Sequence, residues 1–220
     1  MISNLEEFIP VKSINYVNSL IEKEKIQFKI VRERNSKHGD FKRTINGDYI
    51  ITINRFYNPY RFVLTLIHEL AHYFVTIKYY KAKPHGTLWK NKFKQLLNPI
   101  LNKSVFPNDL LKCLSKHMEN PRSTFSYDLE LSKVLDKYDN SRHKYFYLDQ
   151  VKDGDTFFYG DGNKFLKIKK RRKRYLCENL VNKRKYLFLG NEKIKLDENS
   201  SNYWLFWSNS RLTFRIHKRS

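Results

Sequence analysis

Leu66-Ile67-His68-Glu69-Leu70-Ala71-His72 lies inside an apolar run, Phe62 to Tyr80, that contains neither proline nor glycine. A run of that length without a breaker predicts a helix. On a helix, residues four apart are neighbours at about 5–6 Å between Cβ atoms, so His68 and His72 can reach one ion at the roughly 2.0–2.1 Å of a zinc–imidazole bond. Glu69 is turned about 100° from His68. That places it beside such an ion rather than on it, where a carboxylate can take a proton from metal-bound water, and makes it the expected general base. With 7 His in 220 residues, random placement would yield the H-E-x-x-H pattern only about 0.01 times in a chain of this composition.

A catalytic zinc site needs a third protein ligand and keeps one position open. His85 is the expected third ligand, because Pro84 cannot continue the first helix and Gly86 allows a tight turn before a second amphipathic run starts at Thr87. Glu119 and Glu130 are the rival donors. Upstream, Asn58 is placed to cap the metal helix, with Pro59 at its first position.

Outward from this stretch, apolar spacings of three and four predict a helix from Ile9 to Ile26, and similar stripes predict helices over Thr87 to Leu101, Pro107 to His117 and Ser126 to Tyr138. Gln27 to Arg32 and Tyr49 to Ile53 read as strands. With the turn clusters Lys37 to Asp40 and Asn46 to Asp48 they suggest a three-stranded antiparallel meander with an edge that could hold an extended peptide; Tyr49 to Ile53 is the candidate edge strand, and the order of the strands is left open by the sequence. His38 falls in a turn and is expected to be solvated. His117 is a weaker candidate for stabilising an oxyanion, and Tyr79 and Tyr80 are weaker still.

The H-E-L-A-H sequence followed by Pro84-His85-Gly86-Thr87-Leu88-Trp89 resembles the SprT-like family of zinc metalloproteases, whose eukaryotic members include proteases acting on DNA-protein crosslinks. The resemblance runs from the N-terminal amphipathic segment to about Leu101. It implies that His68, His72 and His85 hold one Zn2+, that Glu69 is the catalytic acid/base, that Trp89 packs rather than reacts, and that the substrates are proteins bound or crosslinked to DNA. Many bacterial members carry a Cys-based zinc ribbon after the core. Here only Cys113 and Cys177 are present, far apart, so one zinc is expected and no disulfide scaffold.

The remaining sequence separates from this core in character. After Asn140 the chain turns to short β-like runs rich in Tyr, Phe and Lys: Tyr145 to Leu148, Thr156 to Tyr159, Lys164 to Lys169, Arg174 to Leu180 and Lys185 to Leu189. The expected fold class is therefore α+β, with a zincin-like core of helices and a small antiparallel sheet over residues 1–140 and a small basic antiparallel β module over residues 141–220. Of the net charge of +21, residues 141–220 carry +12, from 20 Lys and Arg against 8 Asp and Glu. The densest stretch holds Lys167, Lys169, Lys170, Arg171, Arg172, Lys173 and Arg174. Beside Phe165, Tyr175 and Tyr186, these cations would give DNA both charge for phosphates and rings for unpaired bases. The tail, with Tyr203, Trp204, Phe206 and Trp207, is expected to cap a sheet or dock a partner.

No apolar run reaches membrane-span length and no basic-then-apolar leader opens the chain, so a cytoplasmic protein without membrane contact is expected. The combined expectation is a zinc endopeptidase acting on protein substrates, with DNA as a second partner. Two other readings compete: a nucleic-acid-binding protein whose zincin core turns over little or nothing, and a general cytosolic metalloprotease.

Overall fold

A computed structural model describes residues 5–34, 37–56, 58–139 and 145–197. The chain is α+β and divides into two compact units, residues 1–140 and 141–220. The aromatic tail lies outside the described residues.

The first unit is built around helix α2, Pro59–Lys78. Asn58 caps it as expected: its side-chain oxygen accepts from the Tyr60 and Arg61 backbone N–H groups at 3.1 Å each, and Pro59 takes a first-turn position whose N–H would have no helical partner. Phe62, Val63, Leu64, Leu66, Ile67, Leu70 and Ala71 are all fully buried. A helix apolar on nearly every side must be enclosed by other elements. Helix α1 (Ile14–Ile21), α3 (Thr87–Leu97), α4 (Asn108–Glu119) and α5 (Leu129–Asp136) share its core with a three-stranded sheet. The segment expected as one helix from Ile9 to Ile26 is shorter. Pro10 is extended, Val11–Ser13 forms a 3-10 turn, α1 ends at Ile21, and Ile26 already belongs to the first strand.

The sheet differs from the expected meander. Its order is β1 (Ile26–Val31), β3 (Tyr49–Asn54), β2 (Gly39–Arg43), with β1 parallel and β2 antiparallel to β3. β3 is thus central, not the edge, and Gly39 and Asp40 belong to a strand rather than a turn. The cause is a buried side chain at the end of β3. The Asn54 amide donates to the carbonyls of Lys37 (2.8 Å) and Arg34 (3.1 Å) and accepts from Arg34 Nε (2.8 Å). These bonds draw the β1–β2 connection across the end of β3 and satisfy backbone that would otherwise be buried without partners.

The second unit is a six-stranded antiparallel sheet in the order β4 (Phe146–Tyr147), β9 (Lys193–Leu196), β5 (Thr156–Tyr159), β6 (Asn163–Arg171), β7 (Arg174–Asn179), β8 (Lys185–Leu189). Leu148, Val151, Phe157, Phe165, Tyr175, Cys177 and Ile194 form its core. The expected strands agree closely, except that β9 had no sequence expectation. Cys113 and Cys177 are both free thiols. Among the described residues, no helix is long and apolar enough to cross a membrane.

Candidate metal centre

His68 and His72 share one face of α2, and the chain then leaves the helix at Tyr79 and returns to place His85 opposite them. His85 has φ 56, a left-handed conformation in which His is several times commoner than most residues. The reversal expected from Gly86 is therefore made one residue earlier. Gly86 serves a different need: with φ −74 it precedes α3, and a Cβ there would stand 3.0 Å from the Lys83 carbonyl oxygen.

The three Nε2 atoms meet at 3.3 Å (His68–His72), 3.0 Å (His72–His85) and 3.2 Å (His68–His85). Neutral imidazoles cannot satisfy such a triangle among themselves, since each nitrogen is either one donor or one acceptor. Ligands held about 2.0–2.1 Å from one tetrahedral cation would be separated by roughly 3.3 Å, so the spacing fits a shared divalent ion. The electrostatics agree. Burial, then the neighbouring imidazoles, pushes His68 down to about 2; burial and His85 push His72 down to about 4; burial also lowers His85. All three are kept neutral, the form that ligates. Among the described residues these are the only grouped His, Cys, Asp or Glu side chains able to hold a metal. The rival donor Glu130 instead pairs with Lys116 at 2.9 Å.

Trp89 is the floor of the centre. It is 1% exposed, and its ring lies 4.6, 5.4 and 4.7 Å from the rings of His68, His72 and His85. Its indole N–H donates to the His68 carbonyl at 3.4 Å. The aromatic residue that follows the third histidine thus fixes all three ring planes by packing.

Glu69 is buried beside the triad and held from the opposite side by β2. The Phe41 backbone N–H donates to its carboxylate. Burial, then Asp40, pushes Glu69 up to about 8, against the pull of Arg34, Lys37 and that N–H. Burial thus favours a proton on Glu69 in the metal-free protein, and a cation held by the triad would draw that affinity down toward the range of a base. Gly39 allows the approach: a Cβ there would lie 2.7 Å from Thr65 Cγ2, 2.8 Å from Glu69 Oε1 and 2.9 Å from Glu69 Cγ. Gly39→Ala is expected to cost about 1–3 kcal/mol in urea unfolding, with part recovered by adding Thr65→Ser, which removes the nearest contact. Unchanged stability of the single variant would show that β2 yields freely.

The triad and Glu69 open into a cleft of about 640 Å³, walled by Gly39, Asp40 and Phe41 on one side and by Thr124 and Phe125 on the other. His38 also lines it, half-buried against Phe56 at 5.2 Å between rings, rather than solvated as expected. His117 does not line it. That residue is buried on α4, with Nδ1 3.0 Å from Asp128 Oδ2 and its ring packed on Phe125. Tyr79 and Tyr80 are exposed outside the cleft. Sequence reasoning missed Gly39, the Phe41 N–H and the Ser123–Ser126 wall. Backbone donors and small residues leave no periodic signal, although the Lys37-His38-Gly39-Asp40 cluster marked the place.

The basic run of the second unit divides into two parts. Lys167 is 3% exposed and is no surface cation: its ammonium donates to the carbonyls of Leu148 (3.2 Å) and Val151 and lies 4.1 Å from the Tyr175 ring centre. Phe165 and Tyr175 are core residues, so two of the three rings expected to stack on bases are covered, whereas Tyr186 on β8 is exposed. Lys169, Lys170, Arg171, Arg172, Lys173 and Arg174 are exposed.

No family model, curated protein or solved structure matches this chain.

Proposed function

We propose that the chain is a zinc-dependent endopeptidase of the SprT-like type. The observation that carries this reading is the convergence of three neutral imidazole Nε2 atoms within 3.0–3.3 Å of one another, with the Glu69 carboxylate beside them. His68, His72 and His85 would hold the ion. A bound Zn2+ supplies a Lewis acid that polarises the scissile carbonyl and renders a water acidic near neutral pH. Glu69 takes the proton from the attacking water and hands it to the departing amine. Phe41 N–H orients that carboxylate, and Trp89 packs against all three imidazoles and holds them in position.

The sheet edge favours a peptide substrate. The His38 carbonyl accepts from the Asn54 N–H of β3 and the Thr44 N–H donates to Asp48, just before that strand, so the alternate residues Gly39, Phe41 and Arg43 face away from it. Glu69 occupies the Phe41 N–H, which leaves the Gly39 and Phe41 carbonyls along the cleft for an extended chain to pair with. By the same resemblance the natural substrates are proteins held on DNA; a general metalloprotease and a scaffold without turnover are the competing readings.

Purified full-length protein is expected to carry close to one zinc per chain and to cleave casein or histone. 1,10-Phenanthroline should abolish cleavage, zinc should restore it, and His68→Ala should lose both metal and cleavage. Cleavage by the metal-free protein at the parent rate would overturn the metal chemistry. A folded, fully metallated chain that cleaves none of several protein substrates would favour the scaffold.

A further inference from the structure

Six consecutive cations, Lys169 to Arg174, are exposed at the end of the β6–β7 hairpin. Arg171 stands directly across from Arg174, and Arg172 and Lys173 form the two-residue connection. Like charges placed opposite each other in a sheet are destabilising. Arg172 adds φ 49, the left-handed conformation that turns usually give to Gly or Asn. Among the described residues, none of the six is ion-paired with a carboxylate, although the same module pairs Lys164 with Asp197 at 2.6 Å. The fold therefore keeps an unneutralised row of charge at a strained turn, where almost any polar residue would be cheaper. A row of this kind is explained by a polyanion that is not part of the chain.

Two observations select the polyanion. Alternate residues on a strand are about 6.6 Å apart, close to the interval at which a nucleic-acid strand repeats its phosphates. Elements that settle on a membrane surface combine their cations with bulky apolar side chains that insert. Here Leu187 alone borders the hollow formed by Arg171 to Arg174, at 48% exposure. The ring nearest the row is unavailable for stacking, since Tyr175 is 8% exposed with Lys170 Nζ 5.8 Å above it; the exposed Tyr186 lies further down the hairpin, opposite Cys177. Contacts from the tip can reach phosphate and sugar, but nothing there reads a base.

We propose that the β6–β7 hairpin tip binds the phosphodiester backbone of nucleic acid and does not discriminate its bases. The proposal is independent of the peptidase reading, because binding is measured without turnover. Full-length protein is titrated into fluorescein-labelled DNA strands of about 20 nucleotides in two unrelated sequences, and into the RNA version of one, across a series of salt concentrations. Affinities for the three are expected within about threefold, with log K falling linearly in log salt. The variant Arg171→Gln, Arg172→Asn, Lys173→Gln, Arg174→Gln should flatten that slope by about 2–3, at roughly 0.7 per lost phosphate contact. Replacing the three arginines with lysine should leave it in place. An unchanged slope in the folded charge-removal variant would overturn the proposal, as would a strong sequence preference. Binding to vesicles containing phosphatidylserine, through these residues and without oligonucleotide binding, would assign the row to a membrane surface instead.

Discussion

Glu69→Gln is expected to retain the metal content of the parent and to lower kcat by about 10²- to 10⁴-fold, the usual contribution of a positioned general acid/base. Gln matches Glu in shape and keeps an oxygen to accept the Phe41 N–H, so β2 and the triad should stay in place. What it lacks is a lone pair basic enough to hold a proton. Stability separates this loss from misfolding. In the metal-free protein, burial raises Glu69 from 4.5 to about 8, so the folded state binds more protons than the unfolded state between those values. The stability it contributes is complete below about 4.5 and is lost as pH rises through about 8. The Gln variant carries no such charge, so at neutral pH without metal it should melt no lower than the parent. A metallated Gln variant that cleaves at the parent rate would remove Glu69 from the chemistry and direct attention to Asp40 across the cleft.

The parts of this site that could be read in the sequence are those that use side chains at helical spacing. His68, Glu69 and His72 share a regular helix, and Asn58 with Pro59 announces where it begins, so their relative placement follows from 3.6 residues per turn. His85 was legible through chain punctuation, although the bend falls on the histidine itself, at φ 56. The sheet was not legible in the same way. Parallel pairing of β1 with β3 depends on Asn54 holding a connection seventeen to twenty residues away in sequence, and no local pattern encodes such a contact. β3, the strand richest in β-branched residues, is the one paired on both flanks, so its composition fits the central position and not the edge. β2, with Gly39, Asp40, Lys42 and Arg43, looks like a turn because it is an edge, where sheets place glycine and charge.

In the second unit, alternation located five of the six strands, but the basic run misled in two respects. Lys167 sits in the same stretch as its exposed neighbours and cannot be told from them by composition. A bulge between Lys167 and Lys169 shifts the register with β7, so alternation counted from the tip assigns the wrong face. The aromatic residues beside the run were open to either role. Burial settles Phe165 and Tyr175 in the core and leaves Tyr186, at 38% exposure, on the edge strand β8.

Arg61→Ala is expected to destabilise the first unit by about 3–5 kcal/mol, the cost of removing one partner from a buried ionic cluster. The Arg61 side chain is 8% exposed and donates from Nη2 to Asp136 Oδ1 (2.8 Å) and Asp139 Oδ2 (3.0 Å), and from Nε to Asp139 Oδ1 (3.1 Å). Asn58, which caps α2, also donates from its amide to Asp139 (2.8 Å) and to the Leu135 carbonyl (2.8 Å). One cluster therefore ties the first turn of α2 to the last turn of α5. Truncation would take the buried guanidinium away from Asp136, 6% exposed, and from Asp139, and the loss of those charge-assisted bonds in a low-dielectric setting is the larger part of the penalty. Tm should fall by roughly 10 °C or more. The histidines lie two turns further along the helix, in contact with Trp89 rather than with α5, so the folded variant should still bind one metal. Arg61→Met combined with Asp136→Leu and Asp139→Asn should recover much of the loss, because it removes the buried acids together with the guanidinium that they bind. A single variant melting within about 2 °C of the parent would show that the cluster is not an anchor, and that the apolar faces of Phe62, Leu66 and Leu135 hold α2 in place without it.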